Sequence, residues 1–199
     1  MTVSLSAIAR SKCLRHPNQC SSLPGLSSAD ACFTITHEVR TLQRPRLNVS
    51  TLFLDIKAGF DNVNASTLRA RVLAFQVPSF MVDWVSSCLS ERTCTLVFQG
   101  SLNIRDPVSV GTLQGSPISP LLYLLYVGPL HVSIPRGLMV FYVNNFSVTV
   151  TFPSYRGNIR QLEGLFSTIP TRGRDIGMSF SVPKTELIHW RSPCQRTPP

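Results

Sequence analysis

The sequence predicts an α+β fold in which an antiparallel sheet is backed by helices. Short apolar runs rich in Val, Leu, Phe and Ile suit strands, and longer segments carry apolar residues at helical spacing. The two kinds of segment alternate along the chain, which favours this fold class. With 199 residues, the chain can form one domain or one and a half with a sizeable core.

The first half of the chain is predicted to hold three helices and one strand. These elements are a helix over Ala29–Leu42, a strand over Val49–Ile56, a helix over 67–75 and a helix over Phe80–Leu89. Ser28 is the expected N-cap of the first helix, and Asn64 or Ser66 is that of the second, because their side-chain oxygens accept from free N–H groups. Residues 1–29 show no period and are expected to be irregular.

The second half is predicted to consist mainly of strands. The elements are strands over Cys94–Phe98 and Val108–Val110 flanking a turn at Gly100, a helix over Ser119–Val127, strands over Leu138–Tyr142 and Phe146–Phe152, a helix over Asn158–Thr168, and strands over Met178–Val182 and Glu186–Trp190. Pro120 suits the first turn of its helix. The pair Asn144-Asn145 separates two alternating segments, which predicts a hairpin with this pair as its turn.

The charge favours a polyanionic partner. The chain carries 19 Lys plus Arg against 10 Asp plus Glu, a formal net charge of +9. A basic chain of this kind most often binds nucleic acid through phosphate contacts. The alternative is a basic solvated surface without a partner.

Cysteine usage and hydropathy point to an intracellular chain, in the nucleus or cytoplasm, that does not bind membrane. The six cysteines include no Cys-X-X-Cys pair. Cys13, His16 and Cys20 are spaced loosely like a zinc knuckle but lack a fourth ligand, so reduced cysteines are favoured. The start of the chain is too polar for a signal peptide, and Gly and Pro residues interrupt the apolar stretch 121–150.

Four strings of residues carry the most specific signal. They are TLFLDIKAGFDNV at 51–63, GTLQGSPISPLL at 111–122, FYVNNFSVTV at 141–150 and GMSFSVPKTELIHW at 177–190. In this order they resemble the palm motifs of reverse transcriptases, most closely those of non-LTR (LINE-type) retrotransposons. Residues 16–39 are similar to the fingers segment of the same enzymes. The resemblance covers about residues 13–192.

The resemblance implies a polymerase palm with partial fingers and no thumb. Residues 1–50 would form a partial fingers segment, residues 51–192 the palm with part of the fingers, and the Pro-rich residues 193–199 a disordered tail. The implied activity is RNA-directed DNA synthesis, with an RNA template, a DNA primer and deoxynucleoside triphosphates as partners. The implied cofactor is Mg²⁺ or Mn²⁺, which two-metal nucleotidyl transfer requires between acidic side chains.

The catalytic positions implied by the resemblance are Asp55, Asn144, Asn145 and Lys184. An aspartate after an apolar run often just ends a strand, but the order of the motifs favours Asp55 as a metal ligand. Lys184 would neutralise charge on the departing pyrophosphate, although a lysine in a turn is often only solvated.

The remaining implied site residues contact nucleotide or nucleic acid. Those of the nucleotide site are Ile56, Phe60, Gln114 and Gly115, and those that face template and primer are Gly111, Ser116 and Pro117. An aromatic ring at Phe60 would collide with a ribose 2′-hydroxyl and so select deoxynucleotides. The alternative for Phe60 is a core side chain, and both functions are compatible.

The third motif departs from the family pattern. Where the family has Tyr-X-Asp-Asp, this chain has Tyr142-Val143-Asn144-Asn145. Asparagine has nearly the shape of aspartate, so the hairpin should form, but its neutral amide is a much weaker ligand for a hard dication. The sequence therefore predicts impaired catalysis. The alternatives are a pseudo-polymerase that binds nucleic acid without chemistry, and a relic that folds poorly.

Overall fold

The computed structural model describes residues 18–21, 25–98, 101–131, 134 and 137–191. Residues 1–17 and 22–24 of the predicted irregular start, which include Cys13 and His16 of the zinc-like spacing, lie outside these ranges, as do the turn at Gly100 and the predicted disordered tail. The chain forms two compact units, whose described parts belong to Ala58–Tyr126 in one and to His16–Lys57 with Val127–Pro199 in the other. The predicted boundaries of fingers and palm remain a prediction.

The helices and strands are named here in chain order. They are α1 (Ser28–Leu42), β1 (Asn48–Lys57), α2 (Ala65–Ala74), α3 (Ser79–Leu89), β2 (Arg92–Phe98), β3 (Ser101–Val108), α4 (Ser119–Val127), β4 (Gly137–Tyr142), β5 (Asn145–Phe152), α5 (Tyr155–Asp175), β6 (Ser179–Phe180) and β7 (Glu186–Trp190), with 3₁₀ turns at Gly128–Leu130 and Val182–Lys184. The bounds predicted for α4 and β7 are confirmed.

The five-stranded sheet is built around β1. Strand β5 pairs with one edge of β1, and β4 pairs with β5. The other edge of β1 pairs with β7 along Val49–Phe53 and with β6 along Ile56–Lys57. All these pairings are antiparallel, so the predicted α+β class with an antiparallel sheet is confirmed.

Burial of apolar side chains holds helix α5 on this sheet unit. Leu162, Leu165 and Ile169 recur at helical spacing and are buried. Each such side chain contributes about 1.5–3 kcal/mol when it is fully removed from water. Val49, Leu54 and other apolar residues of β1 are buried as well, which fixes the register of the central strand.

The second unit combines three helices with the β2–β3 hairpin. Helix α4 is apolar on all sides and its residues Leu121–Val127 are buried, as expected for a helix inside a core. Helices α2 and α3 contact each other and bury Leu68, Val72, Val82 and Val85. Asn64 caps α2 by accepting a hydrogen bond from Thr67 N–H at 3.0 Å, which confirms the first of its two predicted caps.

The predicted N-cap of the first helix is wrong by one residue. Ser27, not Ser28, caps α1, because an acidic residue follows it three positions later and completes a capping box with it. The Asp30 carboxylate accepts from Ser27 N–H at 2.7 Å. Hydrogen bonds from the Ser27 side chain and backbone lower the pKa of Asp30.

Three further boundaries differ from the prediction. Strand β3 ends at Val108 because Val108 pairs with Arg92, the first residue of β2, so the predicted strand over Val108–Val110 is wrong. Helix α5 is much longer than 158–168 and passes through Pro170, since the burial of Ile169 and Gly173 offsets the missing proline N–H. The strand predicted over Met178–Val182 shortens to β6, because Val182–Lys184 forms a turn.

Candidate active site

Asp55 lies near the end of β1, directly opposite Asn145 of β5. Asp55 is 7% exposed, so its carboxylate needs hydrogen-bond donors or a positive charge beside it. The Asn144 Nδ2 donates to Asp55 Oδ1 at 3.0 Å. The Lys184 Nζ lies 3.3 Å from Asp55 Oδ2. The structure therefore brings together the four residues that the sequence assigned to catalysis, with one protein donor on each carboxylate oxygen of Asp55.

The turn of the hairpin that carries Asn144 and Asn145 lies one residue earlier in the chain than predicted. Tyr142 pairs with Asn145, so the two-residue turn is Val143-Asn144, and the predicted turn at Asn144-Asn145 is wrong. The pairing of Asn145 with Asp55 extends β5 to this residue. Val143 has a φ of 56°, an unusual backbone conformation for a β-branched residue. Strain of this kind is typical of residues that are held for function.

Backbone hydrogen bonds fix the strand end that presents Asp55. Ile56 N–H donates to the Asn144 carbonyl at 2.8 Å, and Ser181 N–H donates to the Asp55 carbonyl at 2.8 Å. The first bond ties the predicted nucleotide-site residue Ile56 to the hairpin turn. The second ties β1 to the segment that carries Lys184, whose side chain is 68% exposed and reaches Asp55 from solvent.

Phe60 belongs to the other compact unit and stacks on Tyr123 of α4. The ring centroids are 4.4 Å apart and the rings are inclined by 22°. Thr112 N–H donates to the Phe60 carbonyl at 2.8 Å, which holds the backbone of this residue as well. The Phe60 ring is therefore held on one face, an arrangement compatible with a predicted gate at its edge.

The loop with Gly111, Gln114, Gly115, Ser116 and Pro117 precedes α4 in the same unit. Gly111 has a φ of 88°, and a Cβ there would lie 3.0 Å from the Asp61 carbonyl oxygen. Only glycine fits this approach. The Gln114 Nε2 donates to Asp61 Oδ1 at 2.6 Å. Ser116 N–H closes a turn on the Leu113 carbonyl at 3.1 Å.

The sequence alone did not indicate the roles of Asp61 and Tyr123 in the site. Asp61 orients Gln114 by accepting a hydrogen bond from its side-chain amide. Tyr123 supports Phe60. Neither contact is visible in the spacing of residues, because each joins segments more than fifty positions apart.

The residues at the three metal-ligand positions do not fit a pair of divalent cations. Asp55 is the sole carboxylate among them, and its two oxygens are engaged by the Asn144 amide and the Lys184 ammonium. A carboxylate only accepts hydrogen bonds, so the amino end of the Asn144 amide, not its oxygen, faces Asp55. In the described part of the chain, no group of three or more His, Cys, Asp or Glu side chains could hold a metal ion.

An antiparallel sheet with an aspartate at a central strand end, opposite a tight hairpin, is the arrangement expected of a polymerase palm. The chain belongs to the reverse transcriptase (RNA-dependent DNA polymerase) family, whose model matches residues 4–196. The expected family is thereby confirmed.

The curated proteins include a relative from a transposon. The chain is 24% identical over 144 residues to the transposon TX1 uncharacterized 149 kDa protein of Xenopus laevis. The match covers 72% of this chain and 11% of that protein, so the chain spans only a small part of its relative. This similarity agrees with the expected retrotransposon origin.

Solved telomerase structures of Candida tropicalis share the fold. The chain matches apo telomerase truncated from the C-terminal domain with a TM-score of 0.65 and 15% identity, over 94% of this chain and 39% of that chain. It matches telomerase in complex with a TWJ fragment of telomeric RNA with a TM-score of 0.66 and 13% identity, over 96% of this chain and 33% of that chain. The expected palm fold is confirmed.

Among the residues that the structure describes, no helix is both long enough and apolar enough to cross a membrane.

Proposed function

We propose that this chain is a reverse transcriptase domain of non-LTR retrotransposon type that does not synthesise DNA as its sequence stands. One observation carries the proposal: the Asp55 carboxylate is engaged on one oxygen by the Asn144 amide at 3.0 Å and on the other by Lys184 at 3.3 Å. Both oxygens that would bind a catalytic cation are thus held by donors of the chain itself.

The charge at the site supports the same conclusion. Two-metal nucleotidyl transfer places about +4 of metal charge among acidic ligands, which three carboxylates would balance with −3. Here Asp55 supplies −1, and the neighbouring Lys184 cancels it. Replacement of two carboxylates by amides costs several kcal/mol of cation binding, which corresponds to roughly 10³-fold or more in rate.

The substrates and their contacts belong to the same proposal. The partners are an RNA template, a DNA primer and deoxynucleoside triphosphates. Phe60, supported by Tyr123, would exclude a 2′-hydroxyl, and Gln114, held by Asp61, would face the nascent base pair. Gly111, Ser116 and Pro117 would lie along the template and primer. Lys184 would approach the pyrophosphate only after its ion pair with Asp55 opens.

Primer extension tests the proposal directly. The chain is incubated with an RNA template, a DNA primer and all four deoxynucleoside triphosphates, with Mg²⁺ and separately with Mn²⁺. The unaltered chain, with Asn144 and Asn145 in place, is expected to produce no extended primer. Extension that depends on the cation and disappears in EDTA would overturn the proposal, because it would mean that Asn144 and Asn145 do support metal-dependent transfer.

A second candidate function is binding of nucleic acid without chemistry. The net charge of +9 favours it, because phosphate contacts need basic side chains and not a metal site. This function is compatible with a palm whose cation ligands are lost. It predicts that the chain retains a primer–template duplex in the presence of EDTA, and a chain that releases the duplex would exclude this function.

A further inference from the structure

A group of exposed arginines lies at the end of the sheet opposite to Asp55. Strand β1 begins at this end with Asn48, β5 ends there with Phe152, and β7 ends there with Trp190. Asn48 is about 23 Å from Asp55 along β1, at 3.3 Å per residue. The arginine cluster consists of the exposed residues that flank these strand ends, namely Arg40, Arg44, Arg46, Arg156, Arg160 and Arg191.

Contacts between separate segments bring the cluster together. The Gln43 Nε2, just past the end of α1, donates to the Arg191 carbonyl at 2.9 Å. The Tyr155 ring, in the first turn of α5, lies 4.6 Å from the His189 ring of β7, measured between centroids. The end of α1, the end of β7 and the beginning of α5 with Arg156 are therefore neighbours.

The segments that form this end of the sheet carry no acidic residue. Residues 40–48, 150–160 and 189–191 contain all arginines of the cluster and neither Asp nor Glu. They belong to one compact unit. Among the residues that the structure describes, no arginine of the cluster forms a salt bridge. Positive charge that is concentrated and uncompensated in this way favours a polyanion as partner.

Aromatic side chains on α1 lead to the arginine cluster. Phe33, His37 and Arg40 follow one another at spacings of four and three, so they share one side of the helix. Phe33 is 71% exposed, and its ring stacks on that of His37 with 6.0 Å between centroids and 15° between planes. Exposed rings of this kind offer a face on which a base can stack. A cavity of 350 Å³ at the end of α1 has Arg44 in its wall.

We propose that this end of the sheet is a docking site for single-stranded nucleic acid, with phosphates on the arginine cluster and bases stacked on Phe33 and His37. RNA and DNA share this chemistry. The site lies apart from the candidate catalytic positions and requires no cation. The inference rests on the second candidate function, binding of nucleic acid without chemistry, and assigns that binding to a surface outside the catalytic site.

Two pairs of substitutions on helix α5 test the arginine cluster. Arg156→Gln with Arg160→Gln removes two charges of the cluster, and Arg172→Gln with Arg174→Gln removes two exposed charges about 24 Å further along the same helix. Binding of fluorescein-labelled oligouridylate and oligothymidylate is measured by anisotropy in EDTA. The first pair should weaken binding of both by at least about tenfold and reduce the slope of log affinity against log salt by about 1.4, for two lost phosphate contacts. The second pair should change the affinity less than about twofold, because salt screens distant charges.

Substitutions on and after α1 test the rest of the site. Arg44→Gln with Arg46→Gln should weaken binding as the first pair does. Phe33→Ala should weaken binding by about tenfold, because a stacked base is lost, and should not affect an abasic oligonucleotide of the same length. Phe33→Trp should retain binding. Phe80→Ala removes a 60% exposed phenylalanine of α3 and is the control for loss of an exposed ring.

Three outcomes would overturn the proposal. Absence of binding to both oligonucleotides would also exclude the second candidate function. Equal weakening by the two pairs on α5 would leave nucleic-acid binding in place but without this site. Weakening by the arginine pairs and not by Phe33→Ala would indicate a polyanion without bases, which vesicles of phosphatidylserine would then identify as a membrane or not. All substituted side chains are exposed, and circular dichroism reports whether each variant folds. Primer extension tests the loss of DNA synthesis separately from these measurements.

Discussion

The side-chain amide of Asn144 donates a hydrogen bond to the Asp55 carboxylate, with 3.0 Å between Nδ2 and Oδ1. The same contact between two carboxylates would bring like charges together, and a cation or a proton would be needed to relieve their repulsion. Asparagine removes this need. The substitution therefore does more than weaken a ligand: it makes the apposition of β1 and the hairpin turn stable without metal.

The first prediction follows from this contact and concerns stability. Asn144→Asp replaces a hydrogen-bond donor by a second carboxylate beside Asp55, so in EDTA it should lower the free energy of unfolding by about 1–3 kcal/mol. Mn²⁺ should restore much of the loss in the variant, because a ligand that binds only the folded state stabilises it. The unaltered chain should show the same melting temperature in EDTA and in Mn²⁺.

Asn64→Asp is the matched control for this experiment. Asn64 caps α2 through its side-chain oxygen, and aspartate is an equally good cap. Its melting temperature should stay close to that of the unaltered chain in both buffers. A variant Asn144→Asp that is as stable as the chain in EDTA would contradict the role assigned to the Asn144 amide.

The second prediction concerns the support of Phe60. A Cβ at Gly59 would lie 2.8 Å from Tyr123 Cζ, so Gly59→Ala must displace the ring on which Phe60 stacks. We expect it to lower the free energy of unfolding by about 1–3 kcal/mol.

Gly164→Ala is the control, since Gly164 lies inside α5 with no atom within 4 Å of an added Cβ. It should raise stability by about 0.5–1 kcal/mol. Denaturant unfolding measures the free energy of unfolding of both variants. An equal change in the two would show that Tyr123 is not packed against Gly59.

The sequence was sufficient for the elements whose signals are local. Helix α4 has Pro120 in its first turn and a continuous apolar run, and its bounds were predicted correctly. The position of Asp55 near the end of β1, next to the hairpin that carries Asn144 and Asn145, was also predicted, because the order of the motifs identified the fold. Local residue types are enough where one signal dominates.

Elements set by distant contacts were not predictable in the same way. The hairpin turn falls on Val143-Asn144 because Asn145 pairs with Asp55 across the sheet, although Val143 disfavours a positive φ. Helix α5 continues through Pro170 because residues around it are buried. In both cases tertiary packing overrides a local preference that the sequence displays.

The third prediction concerns binding of nucleic acid. The net charge of +9 favours contacts with phosphates, and each neutralised phosphate releases counterions. The affinity for an RNA–DNA primer–template should therefore fall steeply with salt, by roughly 10³-fold between 50 and 200 mM for about six phosphate contacts. Fluorescence anisotropy measures this, with an uncharged peptide nucleic acid of the same sequence as the control. An affinity that does not change with salt would remove phosphate binding from the proposed function.

The last prediction concerns catalysis. It isolates the effect of Asn144 and Asn145 on DNA synthesis from other causes of inactivity. Positioning of primer, template and nucleotide supplies much of the rate of phosphoryl and nucleotidyl transfer. Activity is therefore best tested in an intact LINE-type enzyme into which residues 51–190 of this chain are grafted. The graft with Asn144→Asp and Asn145→Asp should synthesise DNA, and the graft without these changes should be at least about 10³-fold slower.

The comparison of these grafts has its own controls. A graft with Asn64→Asp alone changes an asparagine to aspartate away from the candidate catalytic positions and should remain inactive. A reverted graft with Lys184→Met tests whether the lysine that pairs with Asp55 also contributes to the reaction, and it should be slower than the reverted graft. Equal synthesis by the reverted and unreverted grafts would mean that Asn144 and Asn145 do not occupy the cation-ligand positions. The assignment of Asp55 as their partner in catalysis would then fail, while the hydrogen bond between Asn144 and Asp55 would keep only its structural role.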